Sequence, residues 1–355
     1  MVTAFVIWLR HGDDLKQTEL TQRILRPKDE LPLKRSQQTL NKLVSLLLLI
    51  NVLVGCSSTR PIPVEPGIAG AQYVPDPSFA GSDDVYAAGD GAALGYIRYD
   101  KPGAKTALIY LHGIESHSGW FAKAATLLRD QGYAVYCLDR RGSGINRENR
   151  AFVSGHVDSY KTLIADIRTF IQPLRNQYES VFLMGVSWGG KLALGYGLTH
   201  PEDIRGLVLI TPGIRALVDV SLFTKLKILL FSHTQPMEPI AIPINTEMFT
   251  TNPRNLDFIQ SDPLRLKYAT AGFLFESHRF DGYIDSRISD LRLPVQLFLA
   301  GRDTLIDNEG VLRVLDRGAQ DKLEIVTYED QTHSIQLDAA ERMVQDIVRW
   351  LARYE

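Results

Sequence analysis

The chain has 355 residues, of which 45% are hydrophobic and 23% charged, and its formal net charge is −2 at pH 7. This composition is that of a globular protein with a full apolar core, and the near-zero charge without a stripe of Lys and Arg argues against nucleic acid as the main partner. Two cysteines exclude both a disulfide scaffold and a cysteine-rich metal site, and the absence of an apolar run of about 20 residues excludes an ordinary transmembrane helix.

A short apolar run precedes Cys56. Residues 43–54 have the sequence LVSLLLLINVLV, and three basic residues lie in the nine positions before them. A basic segment followed by about 7–15 apolar residues is the pattern of a secretory signal. The run ends in Leu-Val-Gly-Cys, which resembles the lipobox of bacterial lipoproteins, where the cysteine is acylated and becomes the mature N-terminus. The resemblance implies that residues 1–55 are an N-terminal extension with a signal peptide and that Cys56 is lipidated.

Lipidation of Cys56 has consequences for the location of the protein. Each buried CH₂ group of an acyl chain contributes about 0.8 kcal/mol to membrane binding, so acylation would anchor the chain to a membrane. The serine after the cysteine fits outer-membrane sorting in the lipoprotein pattern, which implies a lipid-anchored protein of the bacterial cell envelope, on the periplasmic side of the outer membrane. The alternative is a buried N-terminal helix with an incidental cysteine. Residues 56–84 are rich in Pro, Gly, Ser and Asp and are predicted to be a tether.

From residue 85 to residue 355, short apolar runs alternate with amphipathic segments. The predicted strands are 93–99, 106–112, 133–139, 180–186, 207–211, 295–300 and 323–328. The predicted helices are 119–131, 157–178, 188–199, 308–319 and 338–354. The strands from residue 106 onward are continuous apolar runs, which suit parallel strands covered on both faces. This alternation predicts an α/β fold with a mostly parallel sheet and helices on both faces.

Residues 216–290 interrupt this alternation. They separate the predicted strands 207–211 and 295–300, where a connection needs only about 2–6 residues. We expect an inserted helical cap over the carboxyl ends of the parallel strands, where such sheets bind ligands. The apolar run at 220–231, VSLFTKLKILLF, suits the roof of a pocket for an acyl chain, and plain packing against the sheet is the alternative.

The main chemical motif is Gly-Val-Ser-Trp-Gly at 185–189, between a predicted strand and a predicted helix. A G-x-S-x-G pattern by itself is common by chance, but a strand before it and a helix after it are the context of a nucleophile elbow. In that turn the serine has a strained backbone, and glycines on both sides leave room for it. A serine hydroxyl becomes a good nucleophile only when a base takes its proton. Ser187 is therefore the predicted nucleophile, and a tight turn with an incidental serine is the alternative.

The acid and the base are expected farther along the chain, because the order in this arrangement is serine, acid, histidine. His333 follows the last predicted strand, in the segment DQTHSIQ, and is the candidate base. Asp303 and Asp307 both follow the strand 295–300, and both are candidates for the carboxylate that orients the histidine ring. Asp303 is closer to the strand end and is the preferred choice, while Asp307 suits the N-cap or first turn of the next helix.

Two backbone N–H groups are expected to form an oxyanion hole. One belongs to Trp188, the residue after the nucleophile, and the other belongs to the loop His-Gly-Ile-Glu at 112–115. We expect the N–H of Ile114 as the second donor, and each such donor contributes about 3 kcal/mol in the transition state. His112 is expected to be a structural, hydrogen-bonded residue of the turn.

The segments LHGIESHSGW, LDRRGSG, MGVSWGG, GRDTLID and QTHS together resemble the α/β-hydrolase superfamily, over residues 85–355. The branch they resemble most is that of the monoacylglycerol lipases and lysophospholipases, which is grouped with the serine aminopeptidase-like hydrolases. The resemblance implies an α/β-hydrolase fold with an inserted cap and ester hydrolysis, with the aspartate and histidine of the branch at Asp303 and His333. It implies neither a metal nor a cofactor. Trp188 departs from the branch, whose members often have a smaller or flexible residue after the nucleophile.

These observations predict a serine hydrolase that cleaves carboxylic esters through an acyl-enzyme, with Ser187, Asp303 and His333 as catalytic residues. A membrane-anchored enzyme with an apolar cap suits a small-molecule acyl ester, of the monoacylglycerol or lysophospholipid kind. An aminopeptidase or amidase with the same residues is one alternative, in which Glu247 and Glu276 are weak candidates for binding a substrate amine. A non-catalytic envelope module that binds a partner through the same cleft is another, and the complete set of Ser, Asp and His argues against it.

Overall fold

The computed structural model describes residues 72–319 and 322–355. The predicted signal peptide, Cys56 and the predicted tether up to residue 71 lie outside the described residues. The strands of the described part are β1 (Ser82–Ala87), β2 (Ala93–Tyr99), β3 (Thr106–Leu111), β4 (Ala134–Leu138), β5 (Ser180–Val186), β6 (Leu207–Ile210), β7 (Pro239–Ala241), β8 (Tyr268–Thr270), β9 (Val295–Ala300) and β10 (Leu323–Tyr328). The helices are α1 (Ala122–Asp130), α2 (Tyr160–Leu174), α3 (Trp188–Thr199), α4 (Leu222–Thr234), α5 (Pro253–Ser261), α6 (Ala271–Arg287), α7 (Asn308–Leu315), α8 (Ile335–Asp338) and α9 (Ala340–Leu351). Within these residues, no helix combines the length and the apolar character that a membrane span needs.

Eight of the described strands form one sheet in the order β1-β2-β4-β3-β5-β6-β9-β10, and β7 and β8 form a separate antiparallel pair. The pairs β1–β2 and β2–β4 are antiparallel, whereas the other pairs of the large sheet are parallel. Every residue of β3, β4, β5, β6 and β9 is buried, as expected for apolar runs that are covered on both faces. β10 lies at the edge of the sheet and is only partly buried. The predicted α/β fold with a mostly parallel sheet is confirmed.

Successive residues of the central strands enter two different apolar clusters. In β5, Leu183 belongs to a cluster with residues of α2, α3 and α6, and Phe182 belongs to a cluster with residues of α1 and α9. The rings of Phe182 and Trp350 lie with their centroids 5.7 Å apart in the second cluster. Because side chains alternate between the two faces of a strand, this division places helices on both faces of the sheet.

The chain packs on the domain upstream of the predicted boundary between tether and domain. β1 begins at Ser82 and pairs with β2 along its whole length. The ring of Tyr73 stacks on Phe258 with centroids 5.4 Å apart, and its hydroxyl lies 3.0 Å from Oγ of Ser261. Composition did not predict this strand, because a strand at the edge of a sheet can be polar when the neighbouring strand satisfies its backbone. Residues 72–84 are therefore packed against the domain and do not form a free tether.

The insertion between β6 and β9 contains α4, α5, α6 and the β7–β8 pair, as expected for a helical cap. α4 packs against α6 and carries most of the apolar run that the sequence singles out. Ile228 and Phe231 of this helix are buried, whereas Leu222, Leu226 and Phe223 are exposed, Phe223 to 72%. Packing inside the domain therefore accounts for only part of the apolar run.

A buried aspartate attaches the cap to the segment between β3 and α1. Oδ2 of Asp262 accepts hydrogen bonds from Nε2 of His117 at 3.0 Å and from Nε1 of Trp120 at 2.7 Å. Oδ1 accepts from the N–H of Leu264 at 2.8 Å, and Nδ1 of His117 accepts from the N–H of Gly119, which leaves Nε2 as the nitrogen that donates to Asp262. Burial alone would raise the pKa of Asp262. The contact with His117 and the other hydrogen bonds nevertheless hold this pKa below its usual 3.8.

Replacing Asp262 by asparagine is expected to lower the free energy of unfolding by about 3 kcal/mol, because either orientation of the amide places its NH₂ group against an N–H donor. Urea denaturation at pH 7 measures the difference. A carboxylate with a lowered pKa stabilises the fold above its unfolded pKa, here 3.8, and loses this effect as the pH falls through the folded pKa. The difference between the proteins should therefore persist down to about pH 4 and shrink below it.

The matched control is Asp158→Asn. Asp158 is exposed and contacts the ring of His156 at the surface, so its replacement should change the free energy of unfolding by less than about 0.5 kcal/mol. Equal effects of the two substitutions would contradict the role of Asp262 in holding the cap.

Candidate active site

Ser187 lies in a sharp turn between β5 and α3. Its φ is 54° and its ψ is −123°, a conformation that a non-glycine residue adopts only when the surrounding structure imposes it. The N–H of Ser187 donates to the carbonyl of Ile210 at the end of β6 at 2.9 Å, and the N–H of Gly213 donates to the carbonyl of Ser187 at 2.7 Å. A strained serine that is held in this way at a strand–helix junction has the geometry of a nucleophile elbow.

The two glycines of the motif allow the strand, the turn and the helix to approach closely. A Cβ atom on Gly189 would lie 2.2 Å from the carbonyl oxygen of Leu111, and one on Gly185 would lie 2.2 Å from the carbonyl oxygen of Gly189. These distances are far shorter than a van der Waals contact, so a larger residue would displace β3 or α3. The spacing G-x-S-x-G is therefore a packing requirement around Ser187.

His333 and Asp303 are in direct contact. Nδ1 of His333 lies 2.8 Å from Oδ2 of Asp303, and both side chains are buried. Oδ1 of Asp303 accepts from the N–H groups of Leu305 and Ile306 at 2.8 and 3.1 Å, which fixes the orientation of the carboxylate. A carboxylate on Nδ1 keeps a proton on that nitrogen and leaves Nε2 as an acceptor. Nε2 of His333 is buried and has no hydrogen-bond partner.

Asp307 has the other role that the sequence left open for it. Its Oδ1 accepts from the N–H of Gly310 at 2.9 Å, and it is the N-cap of α7. Of the two candidates after β9, the structure therefore brings Asp303 to His333 and uses Asp307 to begin a helix.

Ser187 and His333 are both attached to the carboxyl end of β6. The N–H of Ser187 donates to the last residue of that strand, and Oγ1 of Thr211, the next residue, donates to the carbonyl of His333 at 3.1 Å. The described contacts include no hydrogen bond between the hydroxyl of Ser187 and the ring of His333. In enzymes without bound substrate such bonds are often long and shorten only in the complex.

The loop after β3 reaches the turn that contains Ser187. A Cβ atom on Gly113 would lie 3.3 Å from Cβ of Ser187, and the N–H of Gly113 donates to Oγ of Ser116 at 2.9 Å. No hydrogen bond of the N–H of Ile114 is found among the described residues, and the N–H of Trp188 belongs to the first turn of α3, which has no acceptor within the helix. Neither predicted donor therefore has an acceptor among the described residues.

The indole of Trp188, which departs from the branch that the sequence resembles, is packed under cap helix α6. Its Nε1 donates to Oγ of Ser277 at 2.9 Å, and its ring centroid lies 5.0 Å from that of Phe273. Nζ of Lys191 donates to the same hydroxyl at 2.9 Å. The large side chain at position 188 therefore connects the turn around Ser187 to the cap.

The cap also contacts the loop that carries His333, which sequence analysis did not predict. The carbonyl of Phe249 accepts from the N–H of Ser334 at 2.8 Å and from Oγ1 of Thr332 at 3.2 Å. The ring centroids of Phe249 and His333 lie 6.0 Å apart. No pattern in the sequence marks Phe249, because its position depends on where the cap lies relative to the sheet.

Of the two cap acids that are weak candidates for binding an amine, Glu276 is already bound by other groups of the protein. Both carboxylate oxygens of Glu276 are engaged, one by the N–H of Tyr160 at 3.3 Å and the other by Nη1 of Arg279 at 2.5 Å. Glu247 is exposed, in the short 3₁₀ turn Thr246–Met248.

Among the residues that the structure describes, one group of side chains has the spacing of metal ligands: His200, Glu202 and Asp203. Both carboxylate oxygens of Asp203 already accept hydrogen bonds, from Arg175 at 2.6 Å and from Tyr196 at 3.0 Å. The group follows the C-terminal end of α3, whereas Ser187 precedes the N-terminal end. It therefore neither suits a cation nor belongs to the site around Ser187.

Comparisons with known proteins indicate the family and the fold of the chain. The description of the matching family model is serine aminopeptidase, S33, and the match covers residues 102–340, which is more than half of the chain. Human monoglyceride lipase is 24% identical over 273 residues, which cover 74% of this chain and 88% of the human protein. Monoacylglycerol lipase of Mycolicibacterium smegmatis is 22% identical over 251 residues, which cover 70% of this chain and 88% of that protein.

A solved structure supports the fold. A soluble variant of monoglyceride lipase from Saccharomyces cerevisiae, in complex with a substrate analogue, matches with a TM-score of 0.67 and 18% identity, over 84% of this chain and 99% of that chain. The expected α/β-hydrolase fold is therefore confirmed. The chain belongs to the serine aminopeptidase S33 family of α/β hydrolases, and it is a carboxylic ester hydrolase.

Proposed function

We propose that the protein hydrolyses monoacylglycerol-like or lysophospholipid-like esters, with Ser187 as nucleophile, His333 as general base and Asp303 as the acid that orients the histidine. One observation carries the proposal: Nδ1 of His333 is paired with Asp303 at 2.8 Å, while Nε2 of the same buried ring has no partner. A buried polar atom without a partner is costly, and a ring nitrogen that is free to accept is what proton abstraction from a serine hydroxyl needs.

The reaction follows from these positions. The hydroxyl oxygen of Ser187 attacks the ester carbonyl as Nε2 of His333 takes its proton, and Asp303 stabilises the imidazolium that forms. The proton passes to the leaving alcohol, and the acyl group stays on Ser187. Water then attacks the acyl-enzyme, gives its proton to His333, and releases the fatty acid with a restored Ser187 hydroxyl.

The negative oxygen of each tetrahedral intermediate needs donors. The N–H groups of Ile114 and Trp188 are proposed for this role, because Trp188 follows Ser187, Ile114 follows Gly113, which lies against Ser187, and neither N–H has an acceptor among the described residues. Such donors act mainly in the transition state, where the carbonyl oxygen gains charge, and they therefore raise kcat.

Two features support a lipid substrate. The named relatives are monoglyceride and monoacylglycerol lipases, and the yeast enzyme was solved with a substrate analogue. In this chain, cap helix α4 exposes Leu222, Phe223 and Leu226 and buries Ile228 and Phe231. An apolar cap surface suits an acyl chain better than a peptide.

Attachment to a membrane stays a prediction from the sequence. Acylation of Cys56 and a location in the bacterial envelope concern residues outside the described part of the chain. With such an anchor, the enzyme would act on single-chain esters at a lipid surface.

Amide hydrolysis is the alternative, and the occupied carboxylate of Glu276 argues against it. A substrate panel tests the proposal: monoacylglycerols and lysophospholipids of medium and long chain, di- and triacylglycerols, and aminoacyl anilides, each with the wild-type protein. We expect kcat/KM to be highest for a single-chain ester and at least about tenfold lower for the anilides. Faster cleavage of the anilides would favour the aminopeptidase, and no cleavage of any compound would contradict the proposal.

A further inference from the structure

Arg140, at the end of β4, is a buried cation without a carboxylate partner. It is 9% exposed, and in the described residues no carboxylate oxygen lies within 4.0 Å of its guanidinium. Its neighbour Arg141 has the ordinary arrangement, with ion pairs to Asp90 and Asp166 at 2.7 and 2.6 Å. Burial of an unpaired charge is costly, so the contacts of Arg140 need an explanation.

The guanidinium of Arg140 holds the carbonyl groups of the loop after β3. Nη1 donates to the oxygen of Gly113 at 2.8 Å, and Nη2 donates to the oxygen of Ile114 at 2.5 Å. Nδ1 of His112 also lies 2.8 Å from the oxygen of Gly113, and Nε2 of His112 accepts from the N–H of Arg140 at 3.2 Å. Burial, together with the charge of Arg140, lowers the pKa of His112 well below 6.5, so this ring is a neutral donor to Gly113.

These bonds fix the direction of one proposed oxyanion donor. The carbonyl of Gly113 and the N–H of Ile114 belong to the same peptide unit, and in a trans peptide they point in opposite directions. When Arg140 and His112 hold the carbonyl, the N–H of Ile114 must point to the other side of the loop. Gly113 itself lies against Ser187, since a Cβ atom at 113 would be 3.3 Å from Cβ of Ser187.

Arg140 also contacts the residue that supplies the other donor. Its Cζ lies 5.3 Å from the ring centroid of Trp188 and 5.4 Å from that of Phe273 in the cap. A cation over aromatic rings is attracted by their π electrons, more strongly when both are buried. Burial lowers the pKa of Arg140 to about 9, which leaves it charged at neutral pH.

We propose that Arg140 is the positioning residue of the oxyanion hole: its planar fork holds the Gly113–Ile114 peptide unit and packs on Trp188, so that both N–H donors face the same point. This inference rests on the proposed roles of Ser187, Ile114 and Trp188. It deepens them, because it names a side chain outside the catalytic residues that sets the geometry of the transition state. A lysine at position 140 cannot take this role, because an ammonium group has no rigid planar fork with which to hold two carbonyls.

The test compares Arg140→Gln, Arg140→Lys and the matched control Arg141→Gln in the full chain, with an ester substrate. Four quantities are measured: kcat, KM, the melting temperature, and the inhibition constant of an alkyl trifluoromethyl ketone. The hydroxyl oxygen of Ser187 adds to the carbonyl carbon of the ketone, and the serine proton passes to His333. The resulting hemiketal oxyanion occupies the oxyanion hole. Its affinity therefore reports on the two donors without turnover.

For Arg140→Gln we expect kcat to fall about 10- to 100-fold with KM changed less than about threefold, and the ketone to bind more weakly by a similar factor. Arg140→Lys keeps the charge, and this variant should have kcat and ketone affinity that are each about tenfold lower than those of the wild type. Arg141→Gln should lower the melting temperature and leave kcat and the ketone affinity unchanged. If Arg140→Gln does not fold, Arg140→Lys is compared with the wild type and with the control Arg141→Gln.

Two results would overturn the inference. One is an Arg140 variant with wild-type kcat and ketone affinity, and the other is a loss of kcat without a loss of ketone affinity. Failure of the proposed function is a different result, because the wild-type protein would then hydrolyse the ester no faster than Ser187→Ala.

Discussion

Replacement of Ser187 by alanine is expected to lower kcat for ester hydrolysis by at least about 10⁴-fold, because no other group can form the acyl-enzyme. The change removes one oxygen from a side chain whose backbone is held by Ile210 and Gly213, so the fold should persist. Hydrolysis of a soluble chromogenic ester measures the effect on rate. A fluorophosphonate probe gives a second measurement, because it should label the wild-type protein and leave the alanine variant unlabelled.

Ser143→Ala is the matched control for this substitution. Oγ of Ser143 is buried without a hydrogen-bond partner, so its removal should leave the rate and the labelling unchanged and should not destabilise the protein. Residual activity of Ser187→Ala within about tenfold of the wild type would assign the reaction to another nucleophile. The same rate loss in both serine variants would indicate a general loss of structure.

Replacement of Asp303 by asparagine is expected to lower kcat by about 10³- to 10⁴-fold. The amide would present its NH₂ group to Nδ1 of His333 and would favour the tautomer with the proton on Nε2, which cannot accept a proton from Ser187. The positive charge that forms on the ring would also lose its carboxylate partner. Measurement of kcat against pH, with circular dichroism of both proteins, separates this effect from unfolding.

Asp307→Asn distinguishes the two acids that follow β9. Asp307 is the N-cap of α7, and asparagine is as good an N-cap as aspartate, so this variant should keep both its stability and its rate. A larger loss of kcat in Asp307→Asn than in Asp303→Asn would show that the contact between Asp303 and His333 at 2.8 Å is not the productive one.

The local features of the fold were predictable because short stretches of sequence determine them. Continuous apolar runs identified six predicted strands of the large sheet, those from residue 106 onward, and the structure contains all seven predicted strands within two residues of the predicted bounds. β1 was missed because an edge strand with the sequence SDDVYA has no apolar run, and β7 and β8 because strands of three residues are too short to have a pattern.

The candidate site was predictable in part. The strand, the glycines and the helix around Ser187 are all local, so the motif located the strained turn that contains Ser187, the proposed nucleophile. The choice between Asp303 and Asp307 was different, because both follow the same strand and only the position of the His333 ring distinguishes them. The packing of Trp188 under Ser277 and Phe273 had no sequence signal, since 89 residues separate Trp188 from Ser277.

The sequence by itself determined the strands of the large sheet other than β1, which serine lies in the sharp turn, and which side chains follow the strand ends. Only the tertiary structure decided which of those side chains meet: His333 with Asp303, Asp262 with His117 and Trp120, and Arg140 with the carbonyls of Gly113 and Ile114. The physical reason is the range of the interactions. Apolar patterning and glycine turns act within a few residues, whereas these contacts depend on the order of parallel strands and on the position of the cap, which arise only when the whole core packs.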